Sequence, residues 1–318
     1  MSNIISAVDA IGVAGTFKIN NYRTNATLRH EEWEMYDKTV LKAFQNRLVG
    51  VADLYKSGLV KKIKGLARTI YTYEKESDIT GAEIGMDGIS RSKADRPVYT
   101  TASLPLPFIF KNFEFSARVL AESRNLGEGL DMSTGVLAAR KVADFSEALL
   151  FNGTGSITYG GATIYGYLNA PNHSTYSIPI AWDDSSATGA LILTDVNEMM
   201  KELLADRRYG PYKMYIPSDY ETKMGEDYKA ESSITIRNRI LELEKISSIQ
   251  VSDTLTDDNV ILVQMDSDTV QLIEGMPVTT MEEKSEFNSI HRFKVATILV
   301  PLFKSDANSR SGVCVGTV

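Results

Sequence analysis

The chain has one cysteine, Cys314, in 318 residues. No intrachain disulfide can form, and no thiolate cluster can hold a metal within one subunit. A reducing compartment fits that usage. Histidine is scarce too: His30, His173 and His291 are dispersed and lack metal-ligand spacing. There is no Gly-x-Ser-x-Gly elbow and no Walker loop. No apolar run approaches the length that spans a bilayer. The start of the chain lacks a basic leader, so a secretory signal is not expected. Positive charge is not in excess either. The net charge is −7 and the pI is near 5.2. That balance argues against a dedicated nucleic-acid binder working by phosphate neutralisation. It leaves room for a protein that encloses nucleic acid without gripping it.

What is present is an ordinary globular balance, 43% hydrophobic and 24% charged, enough for one large domain or two modest ones. Gly153, Gly155, Gly160 and Gly161 invite a phosphate-loop reading. They follow a helical stretch rather than a strand, and no Lys-Ser/Thr pair closes them. A turn or small hairpin is expected there. The acidic pairs Glu282-Glu283 and Asp257-Asp258 read as solvated turns. Met199, Met200, Met214 and Met224 read as core filling. No catalytic, cofactor or metal site is expected.

The most informative stretch is 131–152, read as one long helix. Asp131 or Ser133 can cap its start, and Asn152-Gly153 can close its end in a left-handed conformation. Arg140, Asp144 and Glu147 make a narrow polar stripe, and nearly everything else is apolar or small. Such a helix is packed on more than one side.

Residues 1–27 read as an arm, and 28–56 as a helix. Lys61, Lys62, Lys64 and Arg68 form a basic run, read first as a solvated face and second as a patch that meets DNA. Residues 66–77 alternate with β-prone side chains, and 78–95 make a Gly-rich tip. Pro97 restarts an extended segment. The result is a long two-stranded arm. An isolated hairpin is marginal in water. Its aromatic side chains therefore need a surface, which belongs to a neighbouring subunit if the arm projects. A short helix is expected at 116–125. Further on, helices are expected at 195–208, 218–229 and 233–246, and strands at 212–217, 248–252, 259–265 and 269–274. Gly275-Met276-Pro277 reads as a turn before one long strand over 276–304.

LeuArgHisGluGluTrp (28–33), LeuProLeuPro through PheGluPheSerAlaArg (104–118) and AlaAlaArgLysValAlaAspPheSerGluAlaLeuLeuPheAsnGly (138–153) belong to one ordered set of phrases. GlyProTyr (210–212) and AspThrValGlnLeuIleGluGlyMetPro (268–277) complete it. The set resembles the encapsulin-like branch of the Hong Kong ninety-seven phage capsid family. The resemblance implies an α+β fold. It implies an N-terminal arm and first helix over 1–65 and an extended hairpin loop over 66–115. It also implies a peripheral domain over 116–190 and 276–318, built on the spine helix 131–152, and an axial domain over 191–275.

By the same resemblance the chain is a structural protein and not an enzyme. It would be a tailed-phage major capsid protein that self-assembles into pentamers and hexamers of an icosahedral shell around double-stranded DNA. Assembly would take place in the bacterial host cytoplasm and the product would be the virion. Scaffolding, portal and decoration proteins are further partners it allows; a membrane is not. The alternative in the same branch is an encapsulin nanocompartment around a cargo enzyme. Encapsulins start close to the first helix, whereas residues 1–27 precede it here, which favours the viral reading. No room is seen for a long N-terminal scaffolding segment. Tyr71, Tyr73, Arg91, Lys93, Arg96, Tyr99 and Phe108 are the candidate assembly-interface residues. A soluble enzyme with a Gly-rich site at 153–161 is the reading from another class; it predicts a small discrete oligomer.

Overall fold

The computed structural model describes residues 30–82, 84, 86, 96–116, 118, 122, 133–159, 162–229, 233–283 and 290–318. The chain divides into two compact units. The first is Met1–Ala67, Leu106–Leu150 and Leu272–Val300; the second is Arg68–Pro105, Phe151–Gln271 and Pro301–Val318.

In the first unit, α1 (His30–Gln45) is followed by α2 (Gly50–Lys56). One helix was expected over 28–56. The chain breaks at 46–49 because a side chain from far along the sequence caps the second piece. Glu147 accepts hydrogen bonds from the backbone N–H groups of Val49 (3.1 Å), Gly50 (2.5 Å) and Val51 (3.3 Å). Those are donors that a helix start leaves unsatisfied. Glu147 sits on the spine helix α3 (Ser133–Asn152). It is buried, although it belongs to the narrow polar stripe read from the sequence. Asp144 pairs instead with Arg47 at 3.1 Å. Ala138, Ala139, Val142, Ala143, Leu149 and Leu150 are buried along α3, while Leu137, Lys141 and Phe145 form its exposed face.

A four-stranded sheet completes this unit, ordered β1 (Val60–Lys62), β11 (Val270–Glu283), β12 (Ile290–Phe303), β4 (Ile109–Ser116). Two corrections fall here. Gly275-Met276-Pro277 is not a turn, because β11 runs straight through it. Moreover, 276–304 is not one strand but the end of β11 and the whole of β12, neighbours in the sheet. Gly275 is explained by close approach. A Cβ added at Gly65 would lie 2.4 Å from the Gly275 Cα. Glycine inside a strand commonly marks such a backbone crossing. Phe113, Phe115 and Phe293 cluster across the β4–β12 pair, with centroids 5.4–5.8 Å apart.

The second unit is built on a five-stranded sheet. Its order is β7 (Ser174–Ser177), β13 (Val313–Thr317), β10 (Asn259–Gln264), β8 (Tyr212–Ile216), β9 (Ile246–Val251). The strands β8, β9 and β10 match the expected segments closely. Two were not expected: β7 lies in a stretch read as polar loop, and β13 in a tail left unassigned. Both β7 and β13 belong to this sheet. The helix α4 (Gly189–Ala205), capped by Thr188, packs on β13 and β7 through Ile192, Val196 and Met199. The helices α5 (Asp219–Met224) and α6 (Ile236–Leu241) are shorter than expected. On α4 itself, the buried Asp195 accepts from Trp182 Nε1 at 3.0 Å and Tyr176 Oη at 3.1 Å. Buried polar groups of this kind are retained only when paired. Phe151, Tyr167, Tyr215 and Phe303 form an aromatic cluster in the same unit, with centroids 5.1–5.8 Å apart.

Candidate assembly interface

The hairpin belongs to the second unit. The strands β2 (Ile70–Glu76) and β3 (Tyr99–Pro105) pair antiparallel from Ile70–Pro105 to Glu76–Tyr99. Beyond them, Ser77 N–H donates to Val98 O at 3.0 Å, and Val98 N–H donates to Ser77 Oγ at 2.8 Å. The alternation in sequence becomes two faces. Tyr71 and Tyr73 share one face and stack, with centroids 6.3 Å apart.

Burial falls steadily from base to end. Leu104 and Pro105 are buried at the base, and Tyr71 and Tyr73 are half-buried. The strand β6 (Ala162–Ile164) packs on β3, and Tyr165 lies beside Tyr73. Burial, with a smaller effect of Tyr165, holds the Tyr73 phenol above its ordinary pKa. These two tyrosines are thus partly sheltered by their own unit. Toward the far end the side chains are open. Tyr99 is 59% exposed, Val98 65% and Ile79 57%, and Ile84 and Met86 are fully exposed.

The other expected residues are dispersed. Tyr99 Oη donates to Glu76 at 3.3 Å, and that carboxylate keeps the Tyr99 pKa above its usual value. Arg96 is exposed and engaged in an interaction of its own. Phe108 is 48% exposed but belongs to the first unit, in the connection between β3 and β4. Arg91 and Lys93 lie outside the described residues, as does most of the helix expected at 116–125. Sequence reasoning selected aromatic and basic side chains and missed Ile79, Ile84, Met86 and Val98. For Ile79, Ile84 and Met86 the signal was their presence in a Gly-rich tip, where apolar side chains have no core to enter.

The Gly-rich stretch is not a phosphate loop. Gly153 closes α3 at φ +65°, as the sequence suggested. A Cβ there would lie 2.6 Å from Gly166 N. The next residues form a small hairpin, β5 (Thr154–Tyr159) with β6. Among the described residues, no three His, Cys, Asp or Glu side chains converge as a metal site. No helix among them is long and apolar enough to cross a membrane.

With this geometry in hand, the architecture can be placed: the chain has the α+β fold of phage-capsid subunits, the Hong Kong ninety-seven-like fold that the resemblance implied. A virus-like particle from Pyrococcus furiosus is 16% identical over 90% of this chain and 99% of that chain, with a TM-score of 0.64. The capsid of Myoviridae phage XM1 is 12% identical, covering 82% of this chain and 90% of that one, at a TM-score of 0.63. The capsid of a native GTA particle is 13% identical over 96% and 97%, at a TM-score of 0.60. The chain itself belongs to the family described as "Family of unknown function (DUF6260)", whose model matches residues 21–316.

Proposed function

We propose that this chain is a shell-forming structural protein, the major capsid protein of a tailed bacteriophage. It assembles into pentamers and hexamers of an icosahedral shell that encloses double-stranded DNA. The observation that carries the reading is the open apolar end of the hairpin on a capsid-type fold: Ile79, Ile84, Met86, Val98 and Tyr99. Such a group gains when a neighbouring copy covers it. In a closed symmetric array many modest contacts add up, so no single one needs high affinity. In this reading 66–115 is the extended loop, and the unit with the five-stranded sheet supplies the axial contacts around each ring. The negative net charge suits loose contact with DNA. The virion is the site of action, the host cytoplasm the site of assembly, and scaffolding, portal or decoration proteins are further partners.

The second reading, a protein nanocompartment around a cargo enzyme, is kept because the match to the virus-like particle covers 99% of that particle's chain. Deleting residues 78–95 tests the assembly claim. The expected product is a folded subunit that no longer closes into shells. Intact shells in electron micrographs of the deletion would count against the role given to the hairpin.

A further inference from the structure

The hairpin meets its own unit at two places. Low on the ribbon, β6 packs on β3 and Tyr165 lies beside Tyr73. Near the far end, Asn308 Nδ2 donates to Asp78 Oδ2 at 3.1 Å. These two residues are 230 positions apart in sequence and belong to the same unit. Asp78 lies five residues beyond Tyr73, so the two supports are roughly 16 Å apart along the ribbon. The side chains between them, Glu74 to Ser77, are exposed.

Both partners are held in place locally. Asp78 Oδ1 accepts from the N–H of Ile79 at 2.9 Å, which leaves Oδ2 for Asn308. Asn308 sits in the turn that joins β12 to β13. There the Asp306 carboxylate accepts from Asn308 N–H at 3.0 Å and from Arg310 N–H at 2.7 Å, and Asp306 N–H donates to Arg310 O at 3.0 Å. Ser309 closes the turn at φ +61°, and Ser305 and Ser311 bridge at its base. Asn172 Nδ2 donates to Ser305 Oγ at 3.0 Å and ties that base to the stretch before β7. An aspartate that binds backbone donors a few residues on stiffens a turn. The Asn308 amide is therefore offered from a fixed point.

A ribbon supported only at its root can vary its angle, and it gives up that freedom whenever a neighbour covers its end. A second support removes much of this cost beforehand. We propose that the 305–311 turn is a brace for the hairpin, with Asn308 the positioning residue that fixes the direction in which Ile79 and Val98 are presented to a neighbouring copy. The assembly half of this rests on the shell-forming reading; the brace itself does not. The contact lies at the surface, so the bond is worth a modest factor, but that factor recurs in every subunit of a shell.

Hydrogen exchange of the full-length chain below its assembly threshold, read on peptides covering 70–80 and 97–105, tests the brace. N308A should raise exchange at the Ser77–Val98 end about two- to tenfold. N308D should raise it further, because two carboxylates then face each other. The double variant D78N/N308D puts the amide on the hairpin and the carboxylate on the turn. It restores the bond and should return exchange to near the wild-type rate. Sedimentation velocity reads the second consequence. The assembly threshold should rise in N308A and N308D and fall back in the double variant, a rescue that mere damage to the turn would not show. Unchanged exchange in both single variants overturns the proposal, and so does a double variant no better than N308D. Faster exchange with an unmoved threshold overturns the positioning role. A wild-type chain that forms no shells sinks the container reading instead, and exchange alone then judges the brace.

Discussion

Replacing Ile79 and Val98 together by aspartate strikes the hairpin where it is most open. The two side chains are 57% and 65% exposed in the lone subunit. Full burial of such a residue is worth about 1.5–3 kcal/mol. Covering the exposed part of each by a neighbour is then worth about 1–1.5 kcal/mol. Removing both forfeits roughly 2–3 kcal/mol per subunit contact, before any cost of desolvating the new carboxylates. That is about a hundredfold in each pairwise association constant. The fold should hardly notice: surface changes away from special features stay within about 0.5 kcal/mol, and the Ser77–Val98 backbone pair needs no side chain from Val98. Sedimentation velocity across a concentration series gives the assembly threshold, and calorimetry gives Tm. The expected result is a threshold raised at least about a hundredfold with Tm nearly unchanged. Shells forming at the wild-type threshold would refute the reasoning, because the hairpin end would then not be covered by a neighbour.

Two further outcomes concern the fold itself. Asp195→Ala leaves the buried Trp182 N–H without its acceptor, and should cost about 3 kcal/mol. Denaturant titration should show a lower midpoint with an unchanged m-value. Gly65→Ala puts a methyl 2.4 Å from the Gly275 Cα, where two backbones must move apart. A loss of about 2–3 kcal/mol is expected, read as a fall in Tm; an unchanged Tm would mean that the crossing is loose.

Much of the architecture was legible from local pattern. The spine helix and its Gly153 stop, the paired strands at 70–76 and 99–105, and the strands at 212–216, 246–251 and 259–264 all follow from periodicity and turn residues. What escaped depended on partners distant in sequence. The break before Gly50 is held by Glu147, 97 positions away, so no local breaker announces it. Gly275-Met276-Pro277 has turn composition, but its glycine serves a backbone crossing with Gly65. The strand β13 is short and terminal, and becomes a strand only between β7 and β10. At the candidate interface, aromatic residues drew notice because they are large. Tyr71 and Tyr73 turned out half-sheltered at home, while Tyr99 and the aliphatic residues near the tip are the open ones.

The central claim is that copies of this chain close into a container. Electron microscopy of the purified full-length chain, with its contents extracted and identified, tests that most directly. Closed shells of uniform diameter containing double-stranded DNA after infection are the expected result, and a defined protein cargo inside would favour the nanocompartment reading. Monomers or a small discrete oligomer at every concentration would contradict the claim.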